Sequence, residues 1–249
     1  MGTDHLRVAV AGIHGKMGQE VARAVIGADG LLLVGGVARQ HADGRPRVDE
    51  DRASVPVYDD IRTCLLAQSP DVLVDFTCAE AAQQHISVAV DLGVRPVIGT
   101  TGFAEPFLAR VDALLRAREL GGLYAPNFAV GALLMMRAAA LVAPFLPQAE
   151  IIEYHHEQKR DKPSGTAKKT AQVIAAQLPE RTGGDIPIHS VRLPGFVAHQ
   201  EIIFGGQGER LTIRHDSMSR ASFMPGVLLG IRRVMNATGL VDGLEHFLF

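Results

Sequence analysis

The chain has 249 residues, a formal net charge of -2, 47% hydrophobic and 21% charged residues. This length allows one large domain or two smaller ones, and its core needs no disulfide or metal to hold it together. The balanced charge and the lack of tryptophan argue against a nucleic-acid partner. No apolar run approaches the roughly 20 residues of a membrane span, and the N-terminus lacks a signal-peptide pattern. Cys64 and Cys78 form neither a disulfide framework nor metal-ligand spacing, so we expect a cytoplasmic protein without a membrane partner.

The first half of the chain alternates short apolar runs with helical patterns. Strands are predicted at residues 6–11, 31–38, 71–76, 95–99 and 122–125, and helices at 16–28, 79–92 and 105–118. Such alternation is typical of βαβ units, and strands rich in Val, Ile and Leu indicate a parallel sheet covered on both faces. Residues 39–56 are polar and predict a surface loop. We therefore predict an α/β fold, with a Rossmann-like, doubly wound parallel sheet in residues 1–126.

The pattern changes after Asn127 and predicts a smaller α+β domain over residues 127–222. An apolar helix is expected at 130–146, a strand at 149–155, a polar loop at 156–163 and then a helix capped by Ser164. Strands are predicted at 186–193, 197–204 and 210–215, and the glycine-rich turn at 205–208 indicates a hairpin. The sheet is expected to be antiparallel or mixed. A last helix opens at Pro225 and runs to about Ala237, within a C-terminal segment at 223–249.

A glycine-rich segment follows the first predicted strand and opens a helix. Its spacing, with Gly12, Gly15 and Gly18, is a variant of the dinucleotide-binding fingerprint, in which glycines allow a tight turn, backbone approach to a pyrophosphate and close helix–sheet packing. Amide groups and the helix dipole at this position favour a phosphate. A plain βα turn is the alternative, and Lys16 either contacts a phosphate or is solvated. The candidate coenzyme residues here are Gly12, Ile13, His14, Gly15, Lys16 and Met17.

Further candidate coenzyme residues follow other predicted strands. The second strand ends in Ala38 and Arg39, where a carboxylate would hold a ribose and an arginine would hold a 2′-phosphate. Charge therefore favours NADPH over NADH, although Arg39 could be a plain surface residue. Two other segments follow strands whose carboxyl ends should share one sheet edge, where ligands bind in such folds. These segments contain Gly99, Thr100 and Thr101, and Ala125, Pro126, Asn127 and Phe128.

The densest group of polar residues lies at 153–167. His155 and His156 end a strand, Lys159 follows, and a helix begins after Ser164. Amides at a helix N-terminus can hold a carboxylate, while the two histidines and the lysine can supply protons or positive charge to an anionic substrate. A metal site is disfavoured because neighbouring side chains in an extended segment point to opposite faces. A solvated surface loop is the other alternative.

In these segments the sequence resembles the dihydrodipicolinate reductase family of lysine and diaminopimelate biosynthesis. The resemblance runs in order through GIHGKMG (12–18), VDFT (74–77), GTTGF (99–103), APNFAVG (125–131) and EYHHEQKRDKPSGTA (153–167), and continues at 190–204 and 208–223. It implies reduction of 4-hydroxy-tetrahydrodipicolinate to tetrahydrodipicolinate by NADPH or NADH. It also implies a homotetramer, with residues 127–222 as the substrate-binding and oligomerisation domain and a C-terminal segment that returns to the first domain.

The resemblance also implies residue roles. His155 is implied as proton donor or acceptor, Lys159 as proton donor, and His156 as a substrate ligand, while the amides of Gly165 and Thr166 are implied to hold a substrate carboxylate. The coenzyme is implied to lie along residues 12–17, 99–101 and 125–128. Two other functions compete with this one. A non-catalytic NAD(P)-sensing regulator would need no His155–Lys159 pair, and other amino-acid or semialdehyde dehydrogenases lack a histidine pair with this lysine spacing.

Overall fold

The chain forms two compact units. The computed structural model describes residues 5–39, 55–178 and 185–249, so most of the predicted surface loop at 39–56 lies outside the described residues. One unit runs to Phe128 and also includes Phe223–Phe249, and the other is Ala129–Ser222. A parallel sheet flanked by helices and a smaller mixed sheet confirm the predicted fold class.

The first unit is built on a seven-stranded parallel sheet. Its strands are β1 (Leu6–Ala11), β2 (Leu31–Val37), β3 (Val57–Tyr58), β4 (Val72–Asp75), β5 (Arg95–Ile98), β6 (Gly121–Tyr124) and β11 (Gly239–Asp242). They lie in the order β11-β6-β5-β4-β1-β2-β3, and every neighbouring pair is parallel. The direction of winding changes between β1 and β4. This switch point is where open parallel sheets bind ligands, at the carboxyl ends of the strands.

The described part of this unit contains five α-helices. They are α1 (Lys16–Ile26), α2 (Ile61–Gln68), α3 (Ala79–Asp91), α4 (Glu105–Ala117) and α7 (Met224–Arg233). The buried residues of α1 are Gly18, Val21, Ala22 and Val25, a spacing that places them on one helical face toward the sheet. The last helix begins at Met224, with Pro225 in its first turn, and ends as a 3₁₀ turn at Val234–Asn236.

In its described residues, the second unit packs two α-helices on a four-stranded mixed sheet. Its elements are α5 (Val130–Val142), β7 (Gln148–His155), α6 (Gly165–Ala175), β8 (Ile188–Arg192), β9 (Ala198–Gly206) and β10 (Glu209–Ser217). The strand order is β10-β9-β7-β8, in which only β7 and β8 are parallel. Met135 and Ala139 of α5, with Ile174 of α6, pack on Ile202 and Phe204 of β9 to form the core.

Two details of this unit differ from or refine the sequence prediction. Helix α5 ends at Val142 rather than 146, because Pro144 has no backbone N–H to donate to the carbonyl four residues before it. The predicted hairpin is confirmed. Its strands extend closer to the turn than predicted, because β9 ends at Gly206 and β10 begins at Glu209. Gly208 completes the turn with φ of 80°, a left-handed conformation that favours glycine.

Among the described residues, no helix has the length and apolar character needed to cross a membrane.

Candidate active site

The glycine-rich turn after β1 has the close packing that its sequence predicts. Gly12 has φ of 77°, and its amide donates to the Val37 carbonyl at 2.8 Å. A Cβ on Gly18 would lie 2.0 Å from the Gly12 carbonyl oxygen, so α1 can approach the turn only with glycine there. Gly15, the N-cap of α1, supplies no side-chain hydrogen bond to the helix, and the first turn contains no acidic residue. This arrangement suits a phosphate and so fits a dinucleotide coenzyme.

Some residues of this turn are buried in the protein, and others are exposed to solvent. The Ile13 side chain is buried, and a Cβ on Gly36 would meet it at 2.5 Å, so Ile13 offers a ligand only its backbone. Gly15 and Lys16 are exposed, while His14 and Met17 are half-buried. The exposed Lys16 ammonium therefore stands in the first turn of α1, where an unbalanced cation is disfavoured and a bound phosphate would offset that effect.

Asp75, which the sequence patterns did not indicate, organises the ends of β4 and β5. Its carboxylate is 1% exposed, and its Oδ1 accepts hydrogen bonds from the Thr77 amide at 2.9 Å, the Thr77 hydroxyl at 2.7 Å and the Thr100 hydroxyl at 2.8 Å. Its Oδ2 lies 2.7 Å from Nδ1 of His85. The amides of Gly99 and Thr100 donate to the Asp75 carbonyl. Both the amide and the hydroxyl of Thr100 thus donate to Asp75. The exposed hydroxyl of this segment is that of Thr101.

Two aromatic rings pack against each other at the predicted coenzyme segment formed by residues 125–128. The Phe76 and Phe128 ring centroids are 5.5 Å apart, and a Cβ on Gly99 would lie 2.0 Å from the Phe76 ring. Ala125 is buried and its amide donates to the Ile98 carbonyl at 3.0 Å. Pro126 is exposed and Asn127 is half-buried. The buried members of this segment therefore hold the strand ends, and Pro126 and Asn127 present its accessible surface.

Arg39 lies beyond the end of β2 and is exposed. Its charge reaches Glu80 in the first turn of α3. The pKa of Glu80 is lowered first by its own backbone amide and by a hydrogen bond from Cys78, and to a smaller degree by Arg39. A 2′-phosphate at Arg39 would therefore meet a neighbouring carboxylate as well as the guanidinium.

In the second unit, a buried carboxylate stands beside His155. Glu153 lies two residues before His155 on β7, so the two side chains share one face of the strand. Glu153 is fully buried, and its Oε2 lies 2.5 Å from Nδ1 of His155. Neither of these two atoms makes a hydrogen bond, so the contact is a close electrostatic one. The other oxygen, Oε1, accepts hydrogen bonds from Ser190 at 2.6 Å and Arg192 at 2.7 Å, both on β8.

These neighbours shift the pKa values of both groups. Burial alone would raise the pKa of Glu153, but the hydrogen bonds from Arg192 and Ser190 and the nearby positive charges outweigh it and leave that pKa below its ordinary value. Burial lowers the pKa of His155, and the charge of Glu153 opposes this, while Lys159 and Arg192 add to it. The pKa of His155 is lowered on balance, so its imidazole is neutral at pH 7.

Lys159 lies in the loop between β7 and α6. Its ammonium is 2.8 Å from Oδ1 of Asp161, and this ion pair is partly exposed. The hydrogen bond and charge of Lys159 lower the pKa of Asp161. The Lys159 amide donates to the His156 carbonyl at 3.1 Å, and the His156 side chain is exposed. Arg192 donates to the Asp161 carbonyl at 2.7 Å, so the arginine that binds Glu153 also holds this loop.

The N-terminus of α6 lies at the same carboxylate. The Ser164 amide donates to Oε1 of Glu153 at 3.3 Å, and the Ser164 hydroxyl accepts from the Ala167 amide as an N-cap. Gly165 is exposed, and a Cβ added to it would meet no protein atom within 4 Å. Packing within the protein therefore does not require glycine at 165. A ligand that approaches the backbone amide at this position would require it, because a side chain there would be in the way. His155, Lys159 and the first turn of α6 are thus brought together around Glu153.

The patterns along the chain missed three residues that shape this cluster. Glu153 was detectable, because its spacing of two from His155 on a predicted strand places both on one face. Ser190 and Arg192 come from β8, whose parallel pairing with β7 brings them to Glu153 and leaves no local signal. In the described part of the chain, no three His, Cys, Asp or Glu residues are placed to hold a metal ion.

Comparison with known proteins identifies relatives along the whole chain. Two family models match it, "Dihydrodipicolinate reductase, N-terminus" over residues 6–128 and "Dihydrodipicolinate reductase, C-terminus" over residues 131–248. The chain is 47% identical to the 4-hydroxy-tetrahydrodipicolinate reductase of Geobacillus kaustophilus, covering 98% of this chain and 99% of that protein. It is 44% identical to the Moorella thermoacetica reductase of the same name, with 98% of each chain covered.

Solved structures extend this similarity to the fold. The dipicolinate-bound dihydrodipicolinate reductase from Paenisporosarcina sp. TG-14 is 41% identical, with a TM-score of 0.87 over 97% of this chain and 99% of that one. An amine dehydrogenase from Mycobacterium smegmatis superposes with a TM-score of 0.67 at 16% identity, covering 96% of each chain. That second similarity shows a shared fold alone.

Proposed function

The chain belongs to the dihydrodipicolinate reductase family, and from this premise we propose how its residues carry the family's reaction. It is an NAD(P)H-dependent oxidoreductase that reduces 4-hydroxy-tetrahydrodipicolinate to tetrahydrodipicolinate in lysine and diaminopimelate biosynthesis. The observation that carries the residue assignment is the cluster of His155, Lys159 and the α6 N-terminus around Glu153. A non-catalytic regulator would have no need of this cluster.

The reaction adds a hydride and a proton to the substrate and releases water. The bound nicotinamide coenzyme supplies the hydride. Lys159 is proposed as the proton donor, because an ammonium can serve as a general acid, whereas the guanidinium of an arginine is not deprotonated in proteins. His155, neutral at pH 7, exchanges a proton through Nε2 since Glu153 faces its Nδ1. Together they provide the proton transfer that accompanies hydride transfer.

The substrate is proposed to bind the second unit through its carboxylates. The amides of Gly165 and Thr166 lie in the first turn of α6, where the helix dipole favours an anion. The exposed His156 side chain is a third proposed contact. The coenzyme is proposed to bind the first unit along residues 12–17, 99–101 and 125–128, with its pyrophosphate at the N-terminus of α1. The glycine packing of that turn supports this placement.

The activity is tested directly by following coenzyme absorbance. NADPH oxidation should depend on 4-hydroxy-tetrahydrodipicolinate generated enzymatically in the cuvette. Aspartate and aspartate semialdehyde serve as control substrates, which other dehydrogenases would use. Equal oxidation with aspartate semialdehyde alone would contradict the proposed assignment of the site.

Replacing Gly165 with alanine tests the carboxylate site. The added methyl meets no protein atom within 4 Å, so we expect the melting temperature to be maintained. The methyl would obstruct a carboxylate at the Gly165 amide, a charge-assisted contact worth about 1.5–3 kcal/mol, so the substrate KM should rise about tenfold or more. Gly205→Ala is the control, because its added methyl also meets no protein atom and it lies outside the proposed site. An unchanged KM in Gly165→Ala would contradict the assignment.

We propose that NADPH is preferred and that Arg39 holds its 2′-phosphate. Arg39→Ala should raise the KM for NADPH about tenfold, the effect of losing about 1.4 kcal/mol, and leave the KM for NADH unchanged. Glu80→Gln is the reciprocal variant. Because Glu80 lies close enough for Arg39 to affect its pKa, removing its charge should lower the KM for NADPH. Steady-state kinetics with both coenzymes measure these effects, and a wild-type preference for NADH would refute the proposal.

We propose further that the protein is a cytoplasmic homotetramer that assembles through its second unit. Two free thiols, Cys64 and the exposed Cys78, are compatible with a reducing compartment. On and just after α5, Leu134, Leu141 and Phe145 are exposed, with Phe145 83% accessible, and such apolar surface is typical of an interface. Light scattering on the purified chain tests this, and a monomer would refute it.

A further inference from the structure

The two oxygens of the Glu153 carboxylate have separate partners. Oε1 accepts hydrogen bonds from the Ser190 hydroxyl, the Arg192 guanidinium and the Ser164 amide, at 2.6, 2.7 and 3.3 Å. Oε2 faces Nδ1 of His155 at 2.5 Å. A carboxylate held by several donors on one oxygen cannot turn without breaking them, so its second oxygen is kept facing the imidazole.

This second contact determines which imidazole nitrogen is available for proton exchange. If Nδ1 carried a lone pair, two electron-rich atoms would face each other in a buried site, at a considerable electrostatic cost. The proton of the neutral imidazole therefore resides on Nδ1. Carboxylates commonly select a histidine tautomer in this way in catalytic and metal sites. Nε2 is then the nitrogen that accepts or releases a proton.

The same carboxylate also locates the substrate and lysine segments. Ser164 is the N-cap of α6, so its hydrogen bond to Glu153 fixes the start of the helix whose first amides are Gly165 and Thr166. Arg192 joins Oε1 of Glu153 to the carbonyl of Asp161, whose own carboxylate pairs with Lys159. One buried side chain therefore connects the imidazole, the lysine loop and the helix N-terminus.

We propose that Glu153 is a positioning residue of the active site, which fixes the Nδ1–H form of His155 and anchors the N-terminus of α6 in register with it. This inference rests on the proposed reductase site. Glu153 acts through His155 and Ser164, and it donates no proton of its own. Arg192 and Ser190 in turn hold Glu153 ionised and oriented.

The charged groups around His155 determine what loss of Glu153 would do to its titration. These are Glu153 on β7, Arg192 on the adjacent strand β8, and Lys159 in the following loop. Glu153 alone among these three favours the imidazolium. Its replacement by glutamine removes that effect and leaves the two cations, so the titration of His155 moves to lower pH.

The test is Glu153→Gln in the full-length enzyme, with kcat/KM measured against pH. One limb of this pH profile is assigned to the titration of His155, because it is the limb that is lost in His155→Ala. In Glu153→Gln this limb should move to lower pH by about one unit or more, the usual effect of a charge at this distance. The substrate KM should also rise, because the α6 N-terminus loses its anchor, whereas a residue that served stability alone would leave the limb in place.

Glutamine at 153 leaves Arg192 buried without its partner, which can impair folding. The double variant Glu153→Gln/Arg192→Gln removes both charges, and its limb should also move to lower pH, by less, because Arg192 itself disfavours the imidazolium. Glu150→Gln is the matched control. It removes a carboxylate from the same strand that pairs with the exposed His189 on β8 at 2.8 Å, and it should leave the limb in place.

The outcomes separate this inference from the proposed function. A wild-type enzyme that oxidises neither NADPH nor NADH with its substrate would overturn both. An active wild type whose His155 limb stays unmoved in both the single and the double variant would overturn the role of Glu153 alone.

Discussion

Lys159→Ala is expected to lower kcat by about 10²–10⁴-fold, the usual contribution of a general acid. Its ammonium is the proposed proton donor, and its ion pair with Asp161 is partly exposed. Exposed pairs contribute about 0–1 kcal/mol, so the melting temperature should change little. Stopped or continuous coenzyme assays measure kcat, and thermal unfolding shows that the fold survives.

Two further variants make the role of Lys159 specific. Lys159→Arg keeps the charge but cannot release a proton near neutral pH, so it should not restore activity. Lys169→Ala removes an exposed lysine from α6 and should leave kcat unchanged. Wild-type turnover in Lys159→Arg would show that charge alone is needed and would remove the donor assignment.

His155→Ala is the second variant with a large expected effect, again about 10²–10⁴-fold in kcat. Burial lowers the pKa of His155 from its usual value of about 6.5, so the neutral imidazole is the working form at pH 7. Activity of the wild type should therefore fall as the pH drops through this lowered pKa, where His155 becomes protonated. The alanine variant should lose this acid limb, which profiles of kcat/KM between about pH 4 and 8 would record.

His189→Ala is the control for that experiment. His189 also lies beside a glutamate, Glu150 on the adjacent strand β7, but this pair is exposed and lies outside the proposed site. Its loss should leave both kcat and the acid limb in place. If the two single variants His155→Ala and Lys159→Ala both retained near-wild-type turnover, the assigned proton-transfer roles would be refuted.

The elements predicted from sequence are those with a long enough local pattern. Helices α1, α3 and α4 have 11 to 13 residues, and each shows an apolar face that repeats with the helical period. The missed elements are short: β3 has two residues, β11 has four and α2 has eight. The pairing of β11 with β6 is a long-range contact, which no local pattern can indicate.

The candidate site was predictable to the extent that it is contiguous. His155, Lys159 and Gly165 lie within one short segment whose composition already suggested anion binding and proton transfer. Arg192 was not predictable, because the register between β7 and β8 determines its position opposite His155. Asp75 was equally hidden, since its partners Thr100 and His85 come from separate elements.

The position of β11 also has a consequence for the order in which the protein is made. The second unit is one continuous stretch, whereas the first is assembled from residues on either side of it. As the chain leaves the ribosome, β6 emerges before the whole second unit, and its partner β11 only afterwards. Until Gly239–Asp242 is synthesised, the first unit has β6 as an open sheet edge, the kind of surface on which strands from other chains can pair.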